Sequence, residues 1–402
     1  MADVTLERKS SVAGGPGVVC FGGEDWWYHN RGHFDIQIMK HLAERMPVLY
    51  VNSIVMRKFN VGEGGMFWKR LARKARSIGR GLVRAGENFH VYSPLALPVH
   101  HVAGAREANA RLVREQVAAA GRRLGMARPI IWVACPAACD AALAMERRAL
   151  AYQRTDRYEE YPGTDAEQIR AYDRRLKEAA DATFYVNHRM MEEETSECRR
   201  AVFLDHGVDF ERFAEAEESG VVPREIAGIK GPIAGYYGDI DAHIVDVEML
   251  ETLAGILGEF HFVFVGTSTT DVKGLASREN VTMIGRRPYE EIAQYGKRFD
   301  VAIMPWRSNR WIDSCNPVKL KEYLALGKPV VSTPFSELEY YRDVVYAARG
   351  AEGFAAAIRQ AAAEDGPERI ARRRERVRGY SWESRAELAL GALAEPDTAA
   401  TP

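Results

Sequence analysis

The stretch NPVKLKEYLALGKPVVST, residues 316–333, sets a short helix against a buried strand. Pro317 suits a first helical turn, Gly327 suits the end of a helix, and PVVST at 329–333 reads as a strand covered on both faces. Within the helix Glu322 sits among Leu320, Tyr323, Leu324 and Leu326, so a carboxylate occupies a helix that is apolar on most sides. The helix follows an apolar run, DVAIM at 300–304, and a polar loop, RSNRWIDSCN. A helix N-terminus beside such a loop attracts anions, because unpaired N–H groups and the helix dipole point at the ligand. Lys319 adds a charge one turn in, and Glu322, three residues on, shares its face. A carboxylate there accepts hydrogen bonds from a ribose diol while Lys319 neutralises phosphate; the alternative is a Lys319–Glu322 surface pair worth about 0.3 kcal/mol.

The same alternation of short apolar runs and helical patterns extends along the chain. Strands are expected at 17–21, 48–51, 89–92, 130–134, 149–152, 182–186 and 201–204, with helical patterns such as 34–45 and 165–180 between them. After HGVD at 206–209 and a charged stretch the rhythm restarts, with strands at 232–237, 261–265, 281–284, 300–304 and 329–333. Alternation of this kind predicts an α/β fold with parallel sheets covered by helices. A chain of 402 residues exceeds what one core usually serves, so two Rossmann-like domains are expected, 1–208 and 209–402, the second ending in a helix and a frayed tail. Ligands of open α/β sheets bind beyond the carboxyl ends of the strands, so two such sheets facing each other make a cleft.

Composition excludes several classes. Hydrophobic content of 47% and charged content of 28% are those of an ordinary globular chain, and a net charge of −1 argues against a dedicated nucleic-acid binder. The five cysteines form no Cys-x2-Cys unit, so a reducing cytoplasm and no metal site are expected. No apolar run approaches the roughly 18 residues of a membrane span, and the first residues lack a signal-peptide core, so neither secretion nor membrane spanning is expected.

Other segments concentrate chemistry. In CFGGEDWWYHNRGHFD, Gly22 and Gly23 follow the first strand directly, where paired glycines let backbone approach a ligand. Asp25, Trp26, His29, Asn30, Arg31 and His33 crowd the same loop, although tryptophans also pack cores and the histidines also cap helices. AYQRTDRYEEYPG places Arg154, Asp156, Arg157, Glu159 and Glu160 just past the strand at 149–152. A salt-bridged loop is the plain reading, and flanking arginines would depress the Asp156 pKa and weaken it as a base. Gly238 in GYYGDIDAH and Gly266 after HFVFV end strands at the expected cleft.

Two Rossmann halves, HGVD at the junction, GYYGD at the restart, PVKLKEYLALGKPVV and a terminal YSWESRAELAL together resemble a GT-B glycosyltransferase, most closely family 4 and its polysaccharide-synthesis relatives. The resemblance covers about residues 17–390. It implies that Glu322 binds the ribose of a nucleotide-sugar donor and that Asn316, Pro317 and Lys319 hold the diphosphate. Arg286 falls where relatives contact the nucleobase, and the Gly22–Gly23 loop falls near donor phosphates or acceptor. Asp156 matches an aspartate that lies opposite the donor, deprotonating or positioning the acceptor; His29 is the second catalytic candidate. The chain departs from the family pattern where Ser314 stands in place of the first glutamate of Glu-x7-Glu, which handles the transferred sugar. The Arg/Lys pair common after the restart strand is also absent, leaving Arg307, Arg310 and Lys319 as sources of positive charge. The family works without a metal, and retention of configuration follows from the resemblance alone.

Residues 66–84, MFWKRLARKARSIGRGLVR, hold seven basic residues and no acidic one. Phe67, Leu71, Ala75, Ile78 and Leu82 repeat at helical spacing opposite Lys69, Arg73, Arg76, Arg80 and Arg84. Such a helix docks on its own domain or on an anionic membrane surface, where each cation near the lipid contributes about 1 kcal/mol. The combined expectation is a cytoplasmic, peripherally membrane-associated transferase that moves a sugar from a nucleotide diphosphate to a lipid-linked or glycan acceptor in envelope polysaccharide synthesis. A nucleotide-sugar epimerase and a catalytically silent scaffold of the same shape are the alternatives.

Overall fold

The computed structural model describes residues 16–28, 32–54, 65–96, 103–161 and 163–394. Two sheets form. The first joins β1 (Val18–Phe21), β2 (Val48–Val51), β3 (Leu82–Arg84), β4 (Phe89–Tyr92), β5 (Ile130–Val133), β6 (Ala149–Arg154), β7 (Ala182–Tyr185) and β8 (Ala201–Phe203) in the order β3-β4-β2-β1-β5-β6-β7-β8. All its pairs are parallel except β3 on β4 at the edge. The second, parallel throughout, joins β9 (Ile233–Tyr237), β10 (His261–Val265), β11 (Val281–Met283), β12 (Val301–Met304), β13 (Val330–Ser332) and β14 (Val345–Ala347) in the order β11-β10-β9-β12-β13-β14. Every strand expected from the sequence is present within two residues of its expected ends; β3 and β14 are additional.

Why the central strands are apolar without alternation is visible in the packing. Val18, Cys20, Val48, Tyr50, Ile130 and Trp132 enter one core, while Val19, Phe21, Leu49, Val51, Ile131 and Val133 enter another on the opposite face. Each side chain therefore has a helical layer to bury against, as parallel sheets require. Strand order reverses between β1 and β5 in the first sheet and between β9 and β12 in the second, and these reversals fix where crevices open.

The last helix, Trp382–Ala394, lies on the first domain, although sequence order assigned it to the second. Trp382 and Ala386, Ala389 and Ala392 share a core with the Phe34–Ala43 helix, and the Phe34 and Trp382 rings meet edge-on at 5.7 Å. The small residues let the two helices close on each other. Beside this contact the chain passes between domains twice: a Cβ on Gly207 would fall 2.5 Å from the Trp382 ring, and the Val208 N–H donates to the Tyr380 carbonyl at 2.7 Å.

The basic segment is helical over Gly65–Gly79 and stops there, where a helix to residue 84 was expected. Gly81 adopts φ +65°, turning the chain into β3, so Leu82 and Arg84 are strand residues. Among its described side chains, Lys74 Nζ donates to the Ser53 carbonyl at 2.9 Å, buried Ser77 shares hydrogen bonds with Asn52 and Ser93, and Ile78 is half-buried. Ala75 is exposed, as are Arg73, Arg76 and Arg80. The side chains of Phe67, Lys69 and Leu71 lie outside those described.

Candidate active site between the two domains

At the reversal in the second sheet, Gly238 follows β9 and Gly266 follows β10 directly. Gly238 has φ +129°, and a Cβ there would fall 2.5 Å from Lys319 Nζ. Gly266 has φ +154°, and its Cβ would fall 2.1 Å from the Gly238 carbonyl oxygen. Both positions exclude side chains so that backbone and the Lys319 ammonium share a small space. The helix Val318–Ala325 opens after Pro317, its N-cap, with no side chain bonded to its first N–H groups. Lys319 Nζ donates to the Tyr236 hydroxyl at 3.0 Å and lies 4.3 Å from the centre of that ring. An ammonium, an open helix start and side-chain-free backbone make an anion cradle.

Glu322 is 4% exposed, which removes the surface-pair alternative. Its carboxylate accepts from the Tyr289 hydroxyl at 2.8 Å, and Tyr237 lies close to it. Burial pushes its pKa up to about 7, against the lowering effect of those hydroxyls, Lys319 and Arg212. In the loops that follow β9 and β12, the buried nitrogens Trp306 Nε1, Arg307 Nε and His243 Nε2 have no hydrogen-bond partner among the described residues. Such atoms cost stability unless a ligand or water meets them. Trp306 was not legible as a site residue in the sequence, where it reads as core.

Across the cleft, Gly22 and Gly23 follow β1 as expected, but their N–H groups are taken by the Val51 carbonyl and the Asp35 carboxylate. Gly22 is required by packing, since a Cβ would fall 2.2 Å from the Tyr50 ring. Asp156 lies just past β6 with its pKa raised to about 6, chiefly by burial, opposed by Thr155, Arg154, His33 and Cys315. The expectation that flanking arginines hold this carboxyl low is corrected. Arg154 is spent on Glu159, Asp173 and Glu194, and Arg157 on Glu193 and Glu194. Arg154 reaches only the Asp156 carbonyl, at 2.7 Å, and so fixes the segment's backbone. Cys315 Sγ from the second domain lies 3.8 Å from Asp156 Oδ1, so the carboxyl faces the cleft. His29, Asn30 and Arg31 lie outside the described residues.

The Asn316 side chain is turned toward the first domain. Its Nδ2 donates to the Val186 carbonyl at 2.6 Å and to Asp205 Oδ1 at 2.7 Å, both on the first domain. Lys321, fully buried, donates to the same Asp205 oxygen at 2.7 Å and to Asn316 Oδ1 at 3.1 Å. Thus one helix turn presents Lys319 and Glu322 to the crevice and Lys321 to the other domain. Burial and Lys321 also push His206, of HGVD, down to about 3, so it is neutral. Lys321 and Asp205 went unrecognised in the sequence; the signal was a second lysine, two residues after the first, in a helix too apolar to be a surface.

Arg286 Nη1 bridges to the Tyr28 carbonyl at 3.0 Å, and Arg310 reaches Glu160 at 3.4 Å, so both span the domains. Ser314 is buried with its hydroxyl bonded to the Trp311 carbonyl at 2.8 Å. No group of three or more metal-ligating side chains occurs among the described residues.

Solved structures that align over nearly the whole chain include sucrose-phosphate synthase from Thermosynechococcus elongatus, with TM-score 0.69, 16% identity and 94% and 98% of the two chains covered, and Anabaena HepE in complex with UDP-glucose, with TM-score 0.67, 11% identity and 94% and 99% covered. The fold is GT-B. Residues 232–364 match the family model described as "Glycosyl transferases group 1", so the GT-B resemblance includes sequence in the domain that carries Lys319 and Glu322. "Putative teichuronic acid biosynthesis glycosyltransferase TuaH" of Bacillus subtilis (strain 168) is 29% identical over 134 residues, 32% of this GT-B chain. The chain spans about a third (33%) of the length of that curated relative.

Proposed function

We propose that the protein is a glycosyltransferase that moves a sugar from a nucleotide-diphosphate donor to a lipid-linked or glycan acceptor in envelope polysaccharide synthesis. The observation that carries this is the buried Glu322 carboxylate beside the Gly238–Lys319 cradle, at the strand-order reversal where open α/β sheets bind ligands. Lys319 and Arg307 take the diphosphate, Glu322 the ribose, and Asp156 acts on the acceptor from the opposite wall. The match to a group 1 model and the UDP-glucose bound by HepE support a nucleotide-sugar donor; the TuaH name supports a cell-wall polysaccharide context. A retaining hexosyl transfer is the favoured stereochemistry, and no metal is assigned to the reaction.

No described helix is long and apolar enough to cross a membrane. Peripheral attachment at the cytoplasmic face is proposed for the Gly65–Gly79 helix, supported by exposed Arg73 and Arg76 on it and Arg80 just past it, with Arg73 5.5 Å from the Tyr28 ring and Arg80 4.2 Å from the Trp27 ring. The deciding experiment is a thermal-shift panel of UDP, GDP, dTDP and ADP on wild type and Glu322→Ala. One nucleotide is expected to stabilise wild type, by about 2.7 kcal/mol at 100 times its dissociation constant, and not the variant. Absence of any shift in folded wild type overturns the transferase and leaves the silent scaffold.

A further inference from the structure

Beside the donor crevice the second domain holds a cavity of about 340 Å³ whose lining includes neither Lys319 nor Glu322. That volume is at the lower end of small-molecule sites, roughly 300–1,000 Å³. Ile312, Pro334 and Phe335 supply its apolar surface, and Arg310, Arg349 and Asp313 its charge. Asp313 is already paired with Arg189 of the first domain, so its charge is offset. Arg310 is 74% exposed and held only by Glu160 at 3.4 Å, while Arg349 is exposed and makes no ion pair among the described residues. Both arginines line the cavity, and Glu160 is the one acidic partner that either has among the described residues. Arg349 also begins the Gly350–Ala363 helix, whose first turn has no side-chain cap.

The location matters as much as the charge. Glu160 lies four residues beyond Asp156, and Asn187 of the first domain donates to Ser336, another lining residue, at 3.0 Å. The cavity thus opens where the acceptor-side wall meets the second domain. Guanidinium forks match phosphate oxygens in geometry and charge, and an apolar floor beside them suits an organic group carried on that phosphate.

We propose that this cavity seats a phosphate monoester borne by the acceptor, with Arg310 and Arg349 on the phosphate and Ile312, Pro334 and Phe335 against the esterified group. The assignment of this ligand as acceptor rests on the transferase reading.

The test is calorimetric titration of the full chain with farnesyl phosphate, glucose 6-phosphate, inorganic phosphate and uncharged farnesol. Wild type, Arg310→Glu and Arg349→Glu are compared, each also titrated with the nucleotide selected by the thermal panel. One ester is expected to bind at least tenfold tighter than inorganic phosphate, and each charge reversal is expected to weaken it tenfold or more, while the nucleotide affinity of Arg349→Glu stays within twofold. Farnesyl phosphate as the tighter ester identifies a lipid-borne phosphate, glucose 6-phosphate a soluble one. Equal weak binding of all three phosphates would mean an adventitious ion only and overturns the proposal, as does ester binding that survives both reversals, or no ester binding at all. The nucleotide arm is read separately, and its failure overturns the transferase assignment instead.

Discussion

Glu322→Gln separates stability from binding at a single atom. The carboxyl is pushed from an ordinary 4.5 to about 7 by burial. Between those values the folded protein holds a proton that the unfolded chain releases, so this group's effect on stability becomes less favourable as pH rises from about 4.5 to 7 and is constant above. At about 1.36 kcal/mol per pH unit the ionised carboxylate costs about 3 kcal/mol at pH 8, taken as an order of magnitude. Glutamine keeps an oxygen to accept from Tyr289 and carries no charge to desolvate. The variant is therefore expected to be more stable than wild type at pH 8 by up to about 3 kcal/mol, roughly 6–12 °C in midpoint for a domain of this size, and nearly equal to it at pH 4.5. It is also expected to lose the nucleotide-dependent shift, because an amide cannot receive both ribose hydroxyls as a carboxylate does. Denaturation at the two pH values with and without nucleotide is the assay. A difference from wild type that is independent of pH would refute the burial argument, and a full nucleotide shift in the variant would refute the ribose role.

Other consequences are as direct. Gly238→Ala places a methyl carbon against the Lys319 ammonium and is expected to weaken nucleotide binding by tenfold or more, measured by titration. Lys321→Met leaves the buried Asp205 carboxylate unpaired and is expected to cost about 3–5 kcal/mol in chemical denaturation, part of which Asp205→Asn in the same chain restores. If Asp156 acts as an ionised group on the acceptor, kcat/KM falls as pH drops through about 6, and Asp156→Asn lowers kcat by about 10²- to 10⁴-fold; a flat profile between pH 5 and 7 would contradict it. Charge reversal of Arg73, Arg76 and Arg80 together is expected to abolish co-sedimentation with anionic vesicles.

The fold was legible because both faces of each central strand are buried, so apolar runs such as VVCF, VLYV and IIWV stand out against amphipathic helices. β3 and β14 escaped notice as three-residue, half-exposed edge strands with no such signature. Glu322 and Lys319 were legible as a pair because helical spacing fixes their shared face. Spacing does not say what lies opposite, so Asp205 and Val186, the partners of Lys321 and Asn316 more than 110 residues away, could not be read from it. The Asp156 pKa was misjudged for a related reason: adjacency in sequence brought arginines near in number, while folding turned their guanidiniums to Glu159, Asp173, Glu193 and Glu194.

The two side-by-side chain passages at Gly207–Val208 and Tyr380–Trp382 make the second domain an insert within the first. Both of its ends are anchored at one spot on the host, so any opening of the cleft swings about a short axis through that spot, as a bucket swings on one handle. A cut after residue 208 leaves the host without the helix that covers Phe34, whereas joining 207 to 382 through a short linker removes the insert and keeps that cover. The wall that carries Asp156 should then be obtainable as a closed, foldable unit without the Lys319–Glu322 crevice.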